Sequence, residues 1–180
     1  MILEDGMGTG SRAEVTTDNF LRTYSQMETE MSHTSEHHQD AYIWTGSKDI
    51  DTTDNILWLR NDSTTQKLII ECIHVSSDAA GSWFIYCPTG TTADGDTITG
   101  VNTNRTSGKV ALATCRTDAT GTTPANHIFY GHSRADEIST VSFHGALILG
   151  YLDEVAIDIT DEPGLAQATI MGYYHNGSRG

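Results

Sequence analysis

Basic residues are scarce in this chain. Ten Lys and Arg stand against 24 Asp and Glu, a formal net charge of −14 over 180 residues. The average surface field therefore repels phosphate and speaks against a nucleic-acid partner. The acidic side chains are scattered, with no polyacidic tail, which reads as a solvated surface suited to solubility or to docking on a basic neighbour. Long apolar runs are missing, and the first residues lack the basic-then-apolar pattern of a secretion signal. The expectation is synthesis in a cytosol and no membrane partner. The cysteines, Cys72, Cys87 and Cys115, include no CxxC and lie in apolar contexts. They read as small reduced core residues, with a Cys72–Cys87 disulfide as the lesser alternative.

Amphipathic helical periodicity is the absence with the largest consequence. No convincing window repeats apolar residues at i, i+3, i+4 and i+7 between caps. The weak exception is Asn19 to His38, where Gln26 to Met31 has helix formers without a buried stripe; it reads as an extended or partly helical connector. A parallel α/β fold needs crossover helices and is excluded on that ground.

What the chain does have is short strands separated by turn signals. Ile56-Leu57-Trp58-Leu59 precedes the turn cluster Asn61-Asp62-Ser63-Thr64, and Lys67 to Val75 follows as the second arm of a hairpin. Trp83 to Cys87 ends at Pro88, Ala93-Asp94-Gly95-Asp96 is a turn, and Thr97 to Asn102 is a short peripheral strand. Further strands are expected at Val110–Cys115, His127–Tyr130, Ile138–Phe143, Ala146–Gly150, Glu154–Ile159 and Ala168–Tyr174. Val155, Ile157 and Ile159 alternate with Ala156 and Asp158, the period of a strand with one wet face. About eight to ten such strands define an all-β fold, an antiparallel β-sandwich of jelly-roll-like type. The sandwich is assigned residues 41–180, preceded by an extended N-terminal arm and polar connector over 1–40.

The arm carries the distinctive pattern. Asp5, Gly6, Gly8 and Gly10 are followed by Val15, Phe20 and Leu21. A phosphate cradle needs a strand before such glycines and a helix after them, and neither fits here. The glycines instead let the backbone lie close against a partner while Val15, Phe20 and Leu21 supply apolar anchors. Tyr42 and Trp44 are expected to fasten the arm to the domain.

Other constellations read as structure. His33, His37 and His38 lack the HExxH glutamate and a nearby further ligand, so they are assigned to a polar connector and no metal is expected. His127, His132 and His144 lie near Ser133, Ser142, Asp136 and Glu137, but no GxSxG elbow marks a nucleophile. Asp94, Asp96 and Asp118 match no EF-hand spacing. The sequons at Asn61, Asn104 and Asn176 carry little meaning without a secretion signal. Trp44, Trp58 and Trp83, with Tyr42, Tyr86, Tyr173 and Tyr174, are weighed as core or interface against a sugar-stacking platform. No catalytic residue and no cofactor is expected.

The order of these features resembles a family of small virion structural proteins of tailed phages. The matching elements are Asp5-Gly6-x-Gly8-x-Gly10-x-x-Ala13-x-Val15, Asn19-x-Leu21 and Asp40-Ala41-Tyr42. Ile56 to Asn61, Leu68-Ile69-Ile70, Ile98 to Arg105, Leu147-Ile148-Leu149 and Val155 to Ile159 follow in order. The Met- and His-rich connector and the short link Gly150 to Asp153 depart from it. The resemblance implies a non-enzymatic, oligomeric, jelly-roll-like sandwich attached to a capsid or tail, and it transfers no catalytic residue. The resulting expectation is a capsid decoration protein on the outer virion surface. It would form a homotrimer and dock on the major capsid protein through its arm. A tail- or fibre-associated protein recognising a host receptor or glycan, and a stand-alone carbohydrate-binding sandwich, are the alternatives.

Overall fold

The computed structural model describes residues 2–4, 12–15, 21–22, 29–49, 54–90, 94–160 and 164–176. Three short strands come first: β1 (Ile2–Glu4), β2 (Arg12–Val15) and β3 (Leu21–Arg22), paired antiparallel in that order. The helical part of the connector is α1 (Glu30–His33), which runs into a π-helical turn (Thr34–His38). Thr29 caps it by accepting the Ser32 amide at 3.2 Å, and Gln39 closes it in the left-handed region at φ 59°.

The remaining strands are β4 (Ala41–Lys48), β5 (Leu57–Asn61), β6 (Gln66–Ser77), β7 (Gly81–Tyr86), β8 (Thr89–Gly90), β9 (Asp96–Ile98) and β10 (Val101–Asn102). They continue with β11 (Ala113–Thr117), β12 (Thr122–Thr123), β13 (His127–Ser133), β14 (Ser139–Leu149), β15 (Glu154–Ile159) and β16 (Ala166–Asn176). A five-stranded sheet, β10-β4-β16-β6-β14, packs on a six-stranded sheet, β13-β7-β15-β5-β11-β9, and β8 and β12 make a small ribbon. Neighbouring strands run antiparallel, so the chain is an all-β antiparallel sandwich.

Alternation decides which side chains make the core. Leu57, Leu59, Ile85, Val155, Ile157 and Trp83 point inward from one sheet and meet Trp44, Leu68, Ile70, Ile73, Val75 and Ile170 from the other. In β6 the inward set shifts from Leu68 and Ile70 to Ile73 and Val75, a change of phase. A bulge causes it: β16 passes from Met171 opposite Cys72 to Gly172 opposite Ile70, leaving Glu71 unpaired on that side. Without the bulge, half of β6 would turn its apolar side chains to solvent.

A smaller apolar cluster sits on the other face of the six-stranded sheet, where Trp58, Tyr86, Ala119 and Ala156 pack with Phe84. The segment after β11 folds over it. Asn55 Nδ2 donates to the Ala119 carbonyl at 2.8 Å and to Thr122 Oγ1 at 2.6 Å, while the Tyr86 hydroxyl donates to Asn55 Oδ1.

The observed elements differ from the sequence reading in several places. Asn61 ends β5 and is fully buried, with Nδ2 donating to the carbonyls of Gln66 and Leu149 at 3.0 Å each, so its sequon lies in the core. The strand expected from Val110 starts instead at Ala113, and Val110 is exposed. Thr97 to Asn102 divides into β9 and β10, which cross from one sheet to the other. The two strands expected at 138–150 are one strand, β14, in which Phe143 to Ala146 bulge opposite Glu71, with His144 and Gly145 at positive φ.

Candidate functional site: interaction surfaces

The N-terminal segment folds back on itself in its described parts. Ile2 lies opposite Glu14, and Val15 opposite Leu21, so two expected anchors are paired in register across β2 and β3. Among the described residues these strands pair with one another and enter neither sheet of the sandwich. Asp5, Gly6, Gly8, Gly10 and Phe20 lie outside the described residues.

The second half of the connector is tied to the sandwich. Ser35 Oγ and Thr103 Oγ1 are 2.6 Å apart, Asn104 Nδ2 donates to the Ser35 carbonyl at 3.0 Å, and Asn102 Nδ2 donates to that of Gln39 at 2.8 Å. Lys109 Nζ pairs with Asp40 Oδ2 at 2.8 Å and donates to the His38 carbonyl. An open groove of about 600 Å³ runs between this turn and the sheet, lined by Met31, Ser35, Glu36, Glu71, Thr103 and Asn104.

Tyr42 and Trp44 are core residues of β4, 1 % and 0 % exposed, between the two sheets. Their rings lie 5.9 Å apart, and Tyr42 meets Tyr174 edge-on at 5.6 Å. The seven aromatic residues weighed as a platform are all buried, so they offer no stacking surface. Trp58 Nε1 donates to Glu154 Oε2 at 3.2 Å, and the Arg60 guanidinium lies 5.5 Å from its ring centre.

The histidines fall into separate groups. His33 packs against His37 and His38, with ring centres 4.6 and 5.2 Å away. Among the described residues no group of three or more His, Cys, Asp or Glu side chains is placed to hold a metal. His132 Nδ1 lies 3.2 Å from Ser82 Oγ, while Ser133 is buried and His144 stands by Glu71 at 4.0 Å, so the expected Ser, His and Asp neighbours do not converge. Cys72 Sγ approaches His74 Nε2 at 3.6 Å, but burial and the Glu71 charge raise its thiol pKa, the opposite of an activated nucleophile. The cysteines are free thiols, with Cys72 and Cys87 in different sheets or their margins. No helix among the described residues is long and apolar enough to cross a membrane.

Asp158 is the most perturbed carboxylate. It lies on the outer face of β15, opposite Phe84, and burial, with the Asp54 charge adding to it, raises its pKa from 3.8 to about 6. The folded chain thus holds a proton there, between those two values, that the unfolded chain has released. Stability from this group falls as pH rises through that window, and the ionised form costs most above it. Asp158→Asn keeps the acceptor that takes the Ile159 amide at 2.7 Å. The variant should melt several degrees above the parent at pH 7.5 and lose that advantage near pH 4, as thermal unfolding against pH would show.

Two long strands present open backbone edges. β13 and β14 are terminal in their sheets, so among the described residues each is paired on one side only. β13 exposes Ile128, Phe129 and Tyr130 in succession, and β14 exposes Ile148. Neither edge carries a proline or lysine, but each is interrupted by a bulge, which leaves the regular stretches on either side for strand addition.

No family model, no curated protein and no solved structure matches the chain. Function is therefore read from the residues and their arrangement.

Proposed function

We propose that this chain is a non-enzymatic virion structural protein, a capsid decoration protein whose N-terminal segment docks on the major capsid protein and whose sandwich oligomerises as a homotrimer. The observation that carries the reading is that, among the described residues, β1, β2 and β3 pair with neither sandwich sheet. A short paired segment outside the sheets of a self-sufficient core suits attachment to a neighbour. Open β13 and β14 edges suit contact between copies, since backbone pairing across an edge is a common mode of association. Several weak attachment segments on one oligomer bind together at high effective concentration, so none needs high affinity alone. The excess of acidic residues suits an outward-facing, solvated surface. Jelly-roll-like wiring belongs to the same proposal.

Mixed with capsids assembled from the major capsid protein of the same genome, the full chain should co-sediment to saturation, and its solution mass should be three times that of the chain. Absence of co-sedimentation, or a stable monomer at micromolar concentration, would count against the reading.

A further inference from the structure

The outer face of the six-stranded sheet carries a ring cluster at its β13 end. The irregularity between His127 and Phe129 adds a residue to β13, so His127 and Tyr130, three positions apart, stand over the same side of the sheet. Their rings stack at 4.8 Å with an interplanar angle of 18°. Phe84 buttresses both, at 5.1 Å from His127 and 6.1 Å from Tyr130, and Tyr86 lies beneath, 5.5 Å from Phe84. The pair is built on a rigid base, yet Tyr130 stays 66 % exposed.

Polar groups flank the rings on the same face. Tyr130, Phe84 and Asp158 are opposite one another across β13, β7 and β15. The next row holds His132 and Ser82, in contact at 3.2 Å. Neighbouring strands lie about 4.8 Å apart, so the rings and the carboxylate are spaced by roughly 10 Å, the reach of a short oligosaccharide. One Asp158 oxygen accepts the Ile159 amide, and a carboxylate has acceptor capacity beyond that bond.

We propose that this face binds a neutral oligosaccharide, with a pyranose ring stacked on the outer face of Tyr130, which His127 backs from the other side, and its hydroxyls met by Asp158, Ser82 and His132. A sugar joins an apolar C–H face to a rim of hydroxyls and so matches both halves of the patch at once. An apolar protein partner would instead leave Asp158 and the Ser82–His132 pair desolvated against it, at a cost. The net charge of −14 and the carboxylate itself select against acidic sugars. The site differs from the buried tryptophans and tyrosines, and it does not depend on capsid docking.

The test is a glycan array of neutral and acidic oligosaccharides probed with the full chain, followed by titration calorimetry with the best neutral ligand. Neutral ligands should bind. Tyr130→Ala should lower affinity about fivefold or more, Tyr130→Phe should preserve it, and Asp158→Asn should weaken it. Tyr130→Ala should leave thermal stability close to the parent because the side chain is exposed. The proposal is overturned if no neutral saccharide binds at millimolar concentration, if only acidic ones bind, or if binding survives Tyr130→Ala. A change in oligomer mass on Tyr130→Ala, with no saccharide bound, would likewise overturn it and assign the face to contact between copies.

Discussion

Gly131→Ala should destabilise the sandwich by about 3 kcal/mol, although it adds one methyl group to an edge strand. Gly131 lies directly opposite Trp83 in the β13–β7 pairing. A Cβ at that position would stand 2.4 Å from Trp83 Cε2, 2.6 Å from Cζ2 and 2.7 Å from Nε1. Trp83 is 1 % exposed and belongs to the main core, so its ring has little room to retreat. The drop in melting temperature should be on the order of 6–12 °C for a chain of this size. A double-mutant cycle gives the cause. In a Trp83→Phe background the smaller ring leaves space, and Gly131→Ala should cost at least about 1 kcal/mol less than in the parent. A loss below about 0.5 kcal/mol in the parent would mean that β13 does not sit in this register.

Removing residues 1–25 should separate attachment from folding. Among the described residues the three N-terminal strands pair with each other alone, and the main core cluster begins at Tyr42. The truncated chain should therefore melt within a few degrees of the parent. Under the proposed function its capsid affinity should fall by about a hundredfold or more, because every member of the proposed oligomer would lose its attachment at once and the multivalent gain would disappear. Val15→Asp and Leu21→Asp, at positions paired in register across β2 and β3, should each weaken the proposed capsid binding in the full chain without changing the melting temperature. Normal capsid binding by the truncated chain would place the docking surface on the sandwich.

The fold class was legible because local pattern and burial agree. Val155, Ile157 and Ile159 alternate with polar or small residues and are all buried, and Trp58 and Trp83 sit in apolar runs that form central strands. Long-range pairing was less legible. From the sequence Tyr42 and Trp44 read as anchors of the arm, yet they are core residues of a strand between β10 and β16, with Trp44 opposite Ile170, and nothing local announces so distant a partner. The bulges were hidden for a related reason. Phe143 to Ala146 oppose the single residue Glu71, and that mismatch exists only between two strands. The ring pair depends on the same kind of irregularity. A strict period of two places His127 and Tyr130 on opposite faces, and the extra residue at Ile128 brings them together. The glycine-bearing stretch from Asp5 to Gly10 was conspicuous as a pattern, and it lies outside the described residues; under the proposed function it acts through a partner.

That partner supplies the most direct test of the central claim. If the proposed role is correct, particles carrying this chain, reconstructed with and without it by electron cryomicroscopy, should differ by threefold-clustered density on the outer capsid surface, joined to the shell through the N-terminal segments. Difference density confined to the tail, or no difference on the shell at full occupancy of the sample, would contradict the assignment to capsid decoration.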